Sequence, residues 1–356
     1  MLIIDGHLDL AWNALQWNRD LQSSVYTIRA RESQLTGAGR GQGTVALPDM
    51  RTGRIALCFT TLLARSTGRS IQNLDYSSSL QAYGAAQGQL AYYYALEKAA
   101  EVRIVKDARE LEDHIISWGD WEIDTTLPQP LPGLVISMES ADPIQTPDEL
   151  VTWKDAGVRI IGPAHYGPGR YAGGTSTELG LTSMGKELLH EMEGLGILLD
   201  LTHFSDKAFW EAMDLFDGVV LASHNNCRTL VPHQRQFDNA QIRAIVERGG
   251  VIGAACDNWM LRFGWTRGAR DNKPVHLMDV ADHIDHICQL AGNSRYAALG
   301  SDLDGGFGRE QSPEDLDTIA DLQKISELLS ARGYSEQDVT AIMHGNWLRL
   351  LQNAWS

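Results

Sequence analysis

Cysteine is scarce in this chain: four in 356 residues, at Cys58, Cys227, Cys256 and Cys288, with no Cys-x-x-Cys pair among them. That excludes a disulfide-stapled scaffold and a cysteine-built metal or redox site, and leaves buried reduced thiols of the kind a cytoplasmic protein keeps. Long apolar runs are missing from both ends. Only Leu2, Ile3 and Ile4 precede Asp5, too few for a signal-peptide core, and the C-terminal Gln352-Asn353-Ala354-Trp355-Ser356 is not an apolar tail, so neither secretion nor a lipid anchor is expected. Positive charge is also short, with 30 Lys and Arg against 46 Asp and Glu and a net charge of -16. Nucleic acid and anionic membrane surfaces would be repelled by such a chain and are not expected as partners. What remains is an ordinary globular composition, 43% hydrophobic and 21% charged.

The apolar residues are grouped in short runs that read as buried parallel strands, at residues 2–7, 54–63, 133–139, 157–163, 196–202, 218–223, 249–256 and 296–302. Helical stretches alternate with them, among them Gln81 to Ala100, Ser183 to Leu195, Asp206 to Phe216, Asn239 to Arg248 and Met278 to Ala291. Eight such units are the number that closes, so the expected fold is an α/β (β/α)8 TIM barrel, one domain over residues 1–356, with long βα loops. Two extra C-terminal helices, Pro313 to Arg332 and Ser335 to Asn353, are expected to cover the barrel or build a subunit contact. The stretches Trp118 to Asp124 and Asn258 to Lys273 read as loops, the second on the active-site face as a lid. The glycines from Gly37 to Gly43 have no strand before them and Pro48 soon after, so they read as a flexible insertion and not as a phosphate loop.

Residues able to bind a metal or move a proton recur where these strands end: His7 and Asp9, Glu139, His165, His203, His224 and Asp302. In a parallel barrel all strand C-termini open on one face, so such residues converge there. Strand alternation puts His7 and Asp9 on the same side, a chelating pair. Imidazole and carboxylate ligands suit zinc first, with manganese or cobalt as substitutes. Two cations need a bridging anion. Of the seven lysines (Lys98, Lys106, Lys154, Lys186, Lys207, Lys273 and Lys324) none ends a strand where a carboxylated lysine could bridge, and Glu139 takes that position. Asp302 can shuttle the proton of a metal-activated water, with Asp304 as a less favoured loop carboxylate, and His165 can polarise a substrate carbonyl or serve as a supporting or core residue. Each histidine taken singly also fits a core residue bonded to a carbonyl. Glu139 taken singly fits a cap or ion pair ahead of Pro143. His283 and His286 lie mid-helix and read as structural.

The stretches Ile4-Asp5-Gly6-His7-Leu8-Asp9-Leu10, Leu47-Pro48-Asp49-Met50-Arg51-Thr52-Gly53, Asp200-Leu201-Thr202-His203, Ser223-His224-Asn225, Ala281-Asp282-His283-Ile284-Asp285-His286-Ile287 and Gly300-Ser301-Asp302-Leu303-Asp304-Gly305 together resemble the membrane (renal) dipeptidase family of zinc metallopeptidases, within the amidohydrolase-like barrels. The resemblance implies two zinc ions, one on His7, Asp9 and Glu139 and the other on Glu139, His203 and His224. It makes Asp302 the proton carrier, His165 a carbonyl contact and Arg235 the clamp for a substrate carboxylate. It further implies hydrolysis of free dipeptides, including L-D dipeptides, through a hydroxide bridging the metals, and a homodimer. The sequence departs from the family at Glu139-Ser140, where Glu-Gly is common, and at Asp257-Asn258-Trp259-Met260, where some relatives carry a tyrosine. The alternatives are the same centre acting on another amide, lactone or phosphoester, and a non-catalytic barrel that keeps its metals.

Overall fold

The computed structural model describes residues 1–69 and 71–356. Its nine strands are β1 (Ile3–Leu8), β2 (Ile55–Leu63), β3 (Arg103–Ile104), β4 (Gly133–Glu139), β5 (Val158–Gly162), β6 (Leu198–Asp200), β7 (Val220–Leu221), β8 (Ile252–Ala254) and β9 (Ala297–Leu299). Every residue of β1, β2 and β4 is buried, as strands require when helices cover one face and a barrel interior the other. Eight strands pair in parallel in the order β7-β6-β5-β4-β2-β1-β9-β8, and a parallel bridge between Ala222 and Ile252 joins the two ends. The chain thus forms the (β/α)8 barrel expected from its sequence. β3 is an addition, two residues laid against β4, too short to leave a periodicity.

The last four barrel strands are shorter than their apolar runs. Their ladders stop where a carboxylate or amide takes the backbone donor that a neighbouring strand would otherwise receive. Asp200 accepts from the amides of Thr202 and Ser223 at 3.0 Å each, Asp5 from those of His7 and Ser301 at 3.1 and 2.8 Å, and Asn226 from that of Ala255 at 3.0 Å. These buried side chains splice the strand tips together just below the open face.

Three expectations need correction. Trp118 to Ile123 belongs to a helix, Ala108–Ile123, capped by Asp107, whose side chain accepts from Glu110 N at 2.8 Å. Its apolar spacing runs through Leu111, His114 and Trp118, and the histidine and the polar outer face mask it in sequence. Pro313 to Arg332 is not one helix: a tight turn at Ile319–Gln323, capped by Thr318, precedes the helix Lys324–Ala331. Ser335 to Asn353, by contrast, is helical as expected, running from Glu336 to Trp355 with one π turn at Ala341–Gly345 inside it. That last helix plugs the closed end of the barrel. Trp347 is fully buried among Ile4, Leu57, Phe59, Val135, Ile160, Leu198 and Leu221, and its ring N–H donates to Leu299 O at 2.7 Å. A Cβ on Gly6 would stand 2.6 Å from that ring, so the plug requires glycine there. The segment Gly37 to Gly43 is pinned: Gly39 N donates to Glu310 at 2.7 Å and Gly41 N to Glu32 at 2.8 Å, so carboxylates already hold amides that a phosphate would need. The four cysteines are free and buried.

His114 gives the fold a pH dependence. Its Nε2 lies 2.7 Å from Ala56 O, and burial pushes its pKa down to about 4. As pH falls from about 6.5 to about 4 the unfolded chain gains a proton that the folded chain refuses, so stability is lost across that window. In urea denaturation at a series of pH values, His114→Gln is expected to lose about 1–3 kcal/mol less than the wild type between pH 7 and 4.5. Identical pH slopes would contradict the assignment.

Candidate metal centre

At the open face the strand ends deliver their side chains to one point. His7 is in β1 and Asp9 one residue beyond it. Glu139 ends β4, and His203 and His224 follow β6 and β7. His203 and Asp302 hold positive φ angles of 67° and 56°, and Ser140, just after Glu139, 68°. These left-handed turns are unfavourable for residues with a Cβ and swing the chain away from the barrel axis immediately beyond the ligand.

His7 Nε2 stands 3.7 Å from Asp9 Oδ1 and 3.8 Å from Glu139 Oε2, while Glu139 Oε1 is 3.3 Å from His203 Nε2 and 3.4 Å from His224 Nε2. His203 and His224 bring their Nε2 atoms to 3.3 Å of each other. About 3.3 Å is the edge of a tetrahedron whose ligands lie about 2.0–2.1 Å from a zinc ion at its centre. Three donor groups are thus formed, and two of them, His7-Asp9-Glu139 and Glu139-His203-His224, share Glu139; the third is His7-His224-Asp302. His203 Nδ1 meets Thr175 Oγ1 at 3.0 Å and His224 Nδ1 meets Ser223 Oγ at 2.9 Å, which directs the Nε2 lone pairs toward the shared point. The Thr61 hydroxyl bonds Asp9 Oδ1.

The donor set fits divalent cations. His7 Nε2 and Glu139 Oε1 are buried with no hydrogen-bond partner, a costly state for groups with strong lone pairs. Burial pushes Glu139 up to about 8, with Asp9 and Asp200 adding to the rise, and raises Asp302 well above the usual carboxylate range. Burial opposes protonation of His7, but Glu139, Asp9 and Asp302 prevail and lift it to about 10. Burial, with Arg235 nearby, drives His203 well below its ordinary value, and burial with His7 and Arg235 does the same to His224. Carboxylates resisting ionisation beside histidines resisting protonation are what positive charge placed between them would relieve.

Asp302 Oδ1 lies 3.8 Å from His7 Nε2, and His165 Nε2 3.7 Å from Glu139 Oε2. Arg235 lies beside the centre, donating to Asn225 Oδ1 at 2.5 Å and His224 O at 2.9 Å, with its Nε buried and unpartnered. Asp304 is turned away, bound to Arg19 at 3.1 Å and to Thr44 N at 2.7 Å. His283 accepts from Cys227 N at 3.0 Å and His286 meets Asn239 at 2.9 Å, both away from the centre.

A cavity of about 170 Å³ opens over the centre, with Asp9, Glu139, His165, His203 and Asp302 on its floor and Arg235 on its wall. Trp12, Arg65, Tyr166, Asp257 and Met260 also line it; sequence reasoning passed over Trp12, Arg65 and Tyr166, the first in a helix and the others in loops, where no strand end marks a position. Asp257 and Met260 show that the start of the long loop after β8 faces the site. The rest of that loop, from Leu261 to Lys273, walls a larger cleft of about 870 Å³ against the helix Leu277–Ala291. That cleft holds none of the clustered ligands, so the smaller cavity is the one with chemistry.

The sequence profile of the membrane dipeptidase family (peptidase family M19) matches residues 1–355. An uncharacterised Klebsiella pneumoniae protein encoded 5' of pqqA is 33% identical over 215 residues, covering 58% of this chain and 76% of that protein. Dipeptidase tcpJ of Claviceps purpurea is 28% identical over 203 residues, 55% of this chain but only 44% of its own length. Among solved structures, a metallopeptidase of Rhodobacter sphaeroides liganded with a phosphinate mimic of L-Ala-D-Ala superposes with a TM-score of 0.79 at 23% identity, covering 100% of this chain and 99% of that one. The probable dipeptidase PvdM of Pseudomonas aeruginosa gives 0.80 at 18% identity, covering 100% and 96%. The barrel is shared with both. With a family match across its length and a cluster of metal-binding side chains at the open end of its barrel, the chain belongs to the membrane dipeptidase family, and so to the metallo-dipeptidases.

Proposed function

We propose that this protein hydrolyses free dipeptides, L-D dipeptides among them, with two zinc ions held by the triads that share Glu139. The observation that carries this is the joining, in one small cavity, of paired triads at its floor and an arginine with an unpartnered Nε beside it. Bound ions would supply Lewis acidity to polarise the scissile carbonyl and acidify a water. The chain does the rest. His165 offers an N–H to the carbonyl oxygen as charge develops there. Asp302 accepts the proton of the attacking water and passes it to the departing amine, while Arg235 receives the terminal carboxylate and sets the peptide bond over the floor. The phosphinate mimic of L-Ala-D-Ala bound to the Rhodobacter sphaeroides metallopeptidase supports including L-D dipeptides among the substrates. A volume of about 170 Å³ favours a small ligand such as a dipeptide.

Arg235 separates this reading from hydrolysis of another amide, lactone or phosphoester. A hydrogen bond to a charged group contributes about 1.5–3 kcal/mol, so Arg235→Ala is expected to raise KM for free dipeptides about tenfold to a hundredfold. Their C-amidated forms, poor substrates at the outset, should be unaffected, and Arg235→Lys should recover part of the loss. Equal losses on free and amidated substrates would show that Arg235 supports the fold and binds no carboxylate.

A further inference from the structure

Arg65 and Asp75, which lie outside every metal-ligating cluster, join the site through one short contact: Arg65 Nη1 is 2.6 Å from His165 Nδ1. An arginine donates and never accepts. A proton on Nδ1 would point at the guanidinium N–H, so the contact exists only with Nδ1 as acceptor. The ring hydrogen of neutral His165 is thereby placed on Nε2, the atom that faces Glu139 at 3.7 Å across the floor of the cavity. We propose that Arg65, anchored by Asp75, is a positioning residue that holds His165 as its Nε2–H tautomer and aims that hydrogen at the substrate carbonyl.

The anchoring follows from the loop after β2. Arg65 and Asp75 are 2% and 7% exposed, and Arg65 Nε stands 3.2 Å from Asp75 Oδ2 in a buried ion pair that makes no hydrogen bond at Nε. The main chains of the two residues are tied as well, Arg65 N donating to Leu74 O at 3.0 Å and Tyr76 N to Arg65 O at 2.7 Å. Asp75 is fixed in turn by Thr67, whose amide donates to Oδ1 at 2.9 Å and whose hydroxyl bonds Oδ2. A second donor interaction, from Arg65 Nη1 to Tyr166 O at 3.4 Å, sets the guanidinium against the residue next to His165. The three side chains form a line, carboxylate to guanidinium to imidazole. A carboxylate bonded directly to Nδ1 would select the other tautomer, accepting from Nδ1–H and leaving Nε2 a lone pair; an arginine there does the opposite. The polarity of the line therefore assigns His165 the part of a donor and excludes it as a base or ligand through Nε2.

The proposal rests on the dipeptidase reading for its substrate, but its first test does not. In protein labelled with ¹⁵N-histidine, with the His165 signals identified by their loss in His165→Asn, long-range ¹H–¹⁵N spectra should show Nε2 protonated and Nδ1 bare, with or without chelator. Arg65→Met should give a mixed or Nδ1-protonated pattern at His165 alone, and Arg65→Lys, which keeps a donor, should retain the wild-type pattern. On a dipeptide that the wild type cleaves, Arg65→Met should lower kcat about ten- to a hundredfold with KM within about twofold and metal content unchanged. Arg65→Lys should restore most of that rate, and Asp75→Asn should show a smaller loss in the same direction. A wild-type His165 protonated on Nδ1, or an Arg65→Met protein with the Nε2–H tautomer intact, would overturn the proposal. So would equal losses in Arg65→Lys and Arg65→Met. If the wild type cleaves no dipeptide, the spectra still decide the question while the dipeptidase reading fails on its own.

Discussion

Replacing Asp302 with asparagine is expected to lower kcat by about 10²–10⁴ while the purified protein keeps its metals. Asparagine has the same shape and can hold the same contacts, so what the change removes is the capacity to take a proton. The position of the carboxyl group suits proton transfer, since it follows β9, is turned out by a left-handed φ of 56°, lines the cavity and stands 3.8 Å from His7 Nε2. Burial, with Asp9, Glu139 and Asp257 adding to the effect, raises its pKa well above the usual range, which favours a group that must accept a proton and release it again. Asp302 also forms a possible donor set with His7 and His224. Metal analysis of the variant separates the two roles: retained metal with lost turnover is the outcome for a proton carrier, whereas lost metal identifies a ligand, and retained turnover removes Asp302 from the mechanism.

Glu139→Gln should invert the order of thermal stability. With a chelator present the variant is expected to melt above the wild type; with zinc added the wild type should melt above the variant. In the metal-free wild type, Glu139 buries an oxygen without a hydrogen-bond donor beside two histidines that resist protonation. A glutamine amide at that place can donate to the Nε2 lone pairs 3.3 and 3.4 Å away and removes the need to bury or neutralise a carboxylate. Relieving such a group is worth about 1–3 kcal/mol. With zinc the balance reverses, because a ligand at a thousand times its Kd stabilises the native state by about 4 kcal/mol, and the variant has lost the residue common to both triads. Turnover should fall with the metal. A chelated variant that melts below the wild type, or zinc stabilisation equal in the two proteins, would contradict the shared role of Glu139.

The parts of this site that the sequence makes legible are those tied to strand ends. His7, Asp9, Glu139, His203, His224 and Asp302 each follow an apolar run, and a parallel barrel brings such ends together whatever their separation along the chain. The same rule makes the fold legible, because short apolar runs alternating with helical stretches read as interior strands, and β1, β2 and β4 are buried on every residue. Where sequence reasoning fails, no run announces the residue. Arg65 reaches His165 through a loop whose course depends on the Arg65–Asp75 pair, and Asp257 looks like an ordinary helix cap, which it also is, accepting from Trp259 N at 3.4 Å. The last helix is legible as a helix, but the π turn at Ala341–Gly345, one turn ahead of the Trp347 that sits beneath the barrel, leaves no mark in a local helix pattern. Arg235 carries no local signal at all, and only resemblance to the family raises it above a surface arginine.

The most direct test of the central claim is to strip the protein of metal, titrate it with zinc, and follow hydrolysis of L-L and L-D dipeptides beside their N-blocked and C-amidated forms. The account predicts no turnover in the stripped protein, activity that rises until two equivalents of zinc are bound, and cleavage confined to free dipeptides with L-D pairs among them. Turnover that survives stripping, saturation at one equivalent, or cleavage of blocked peptides as fast as free ones would contradict it.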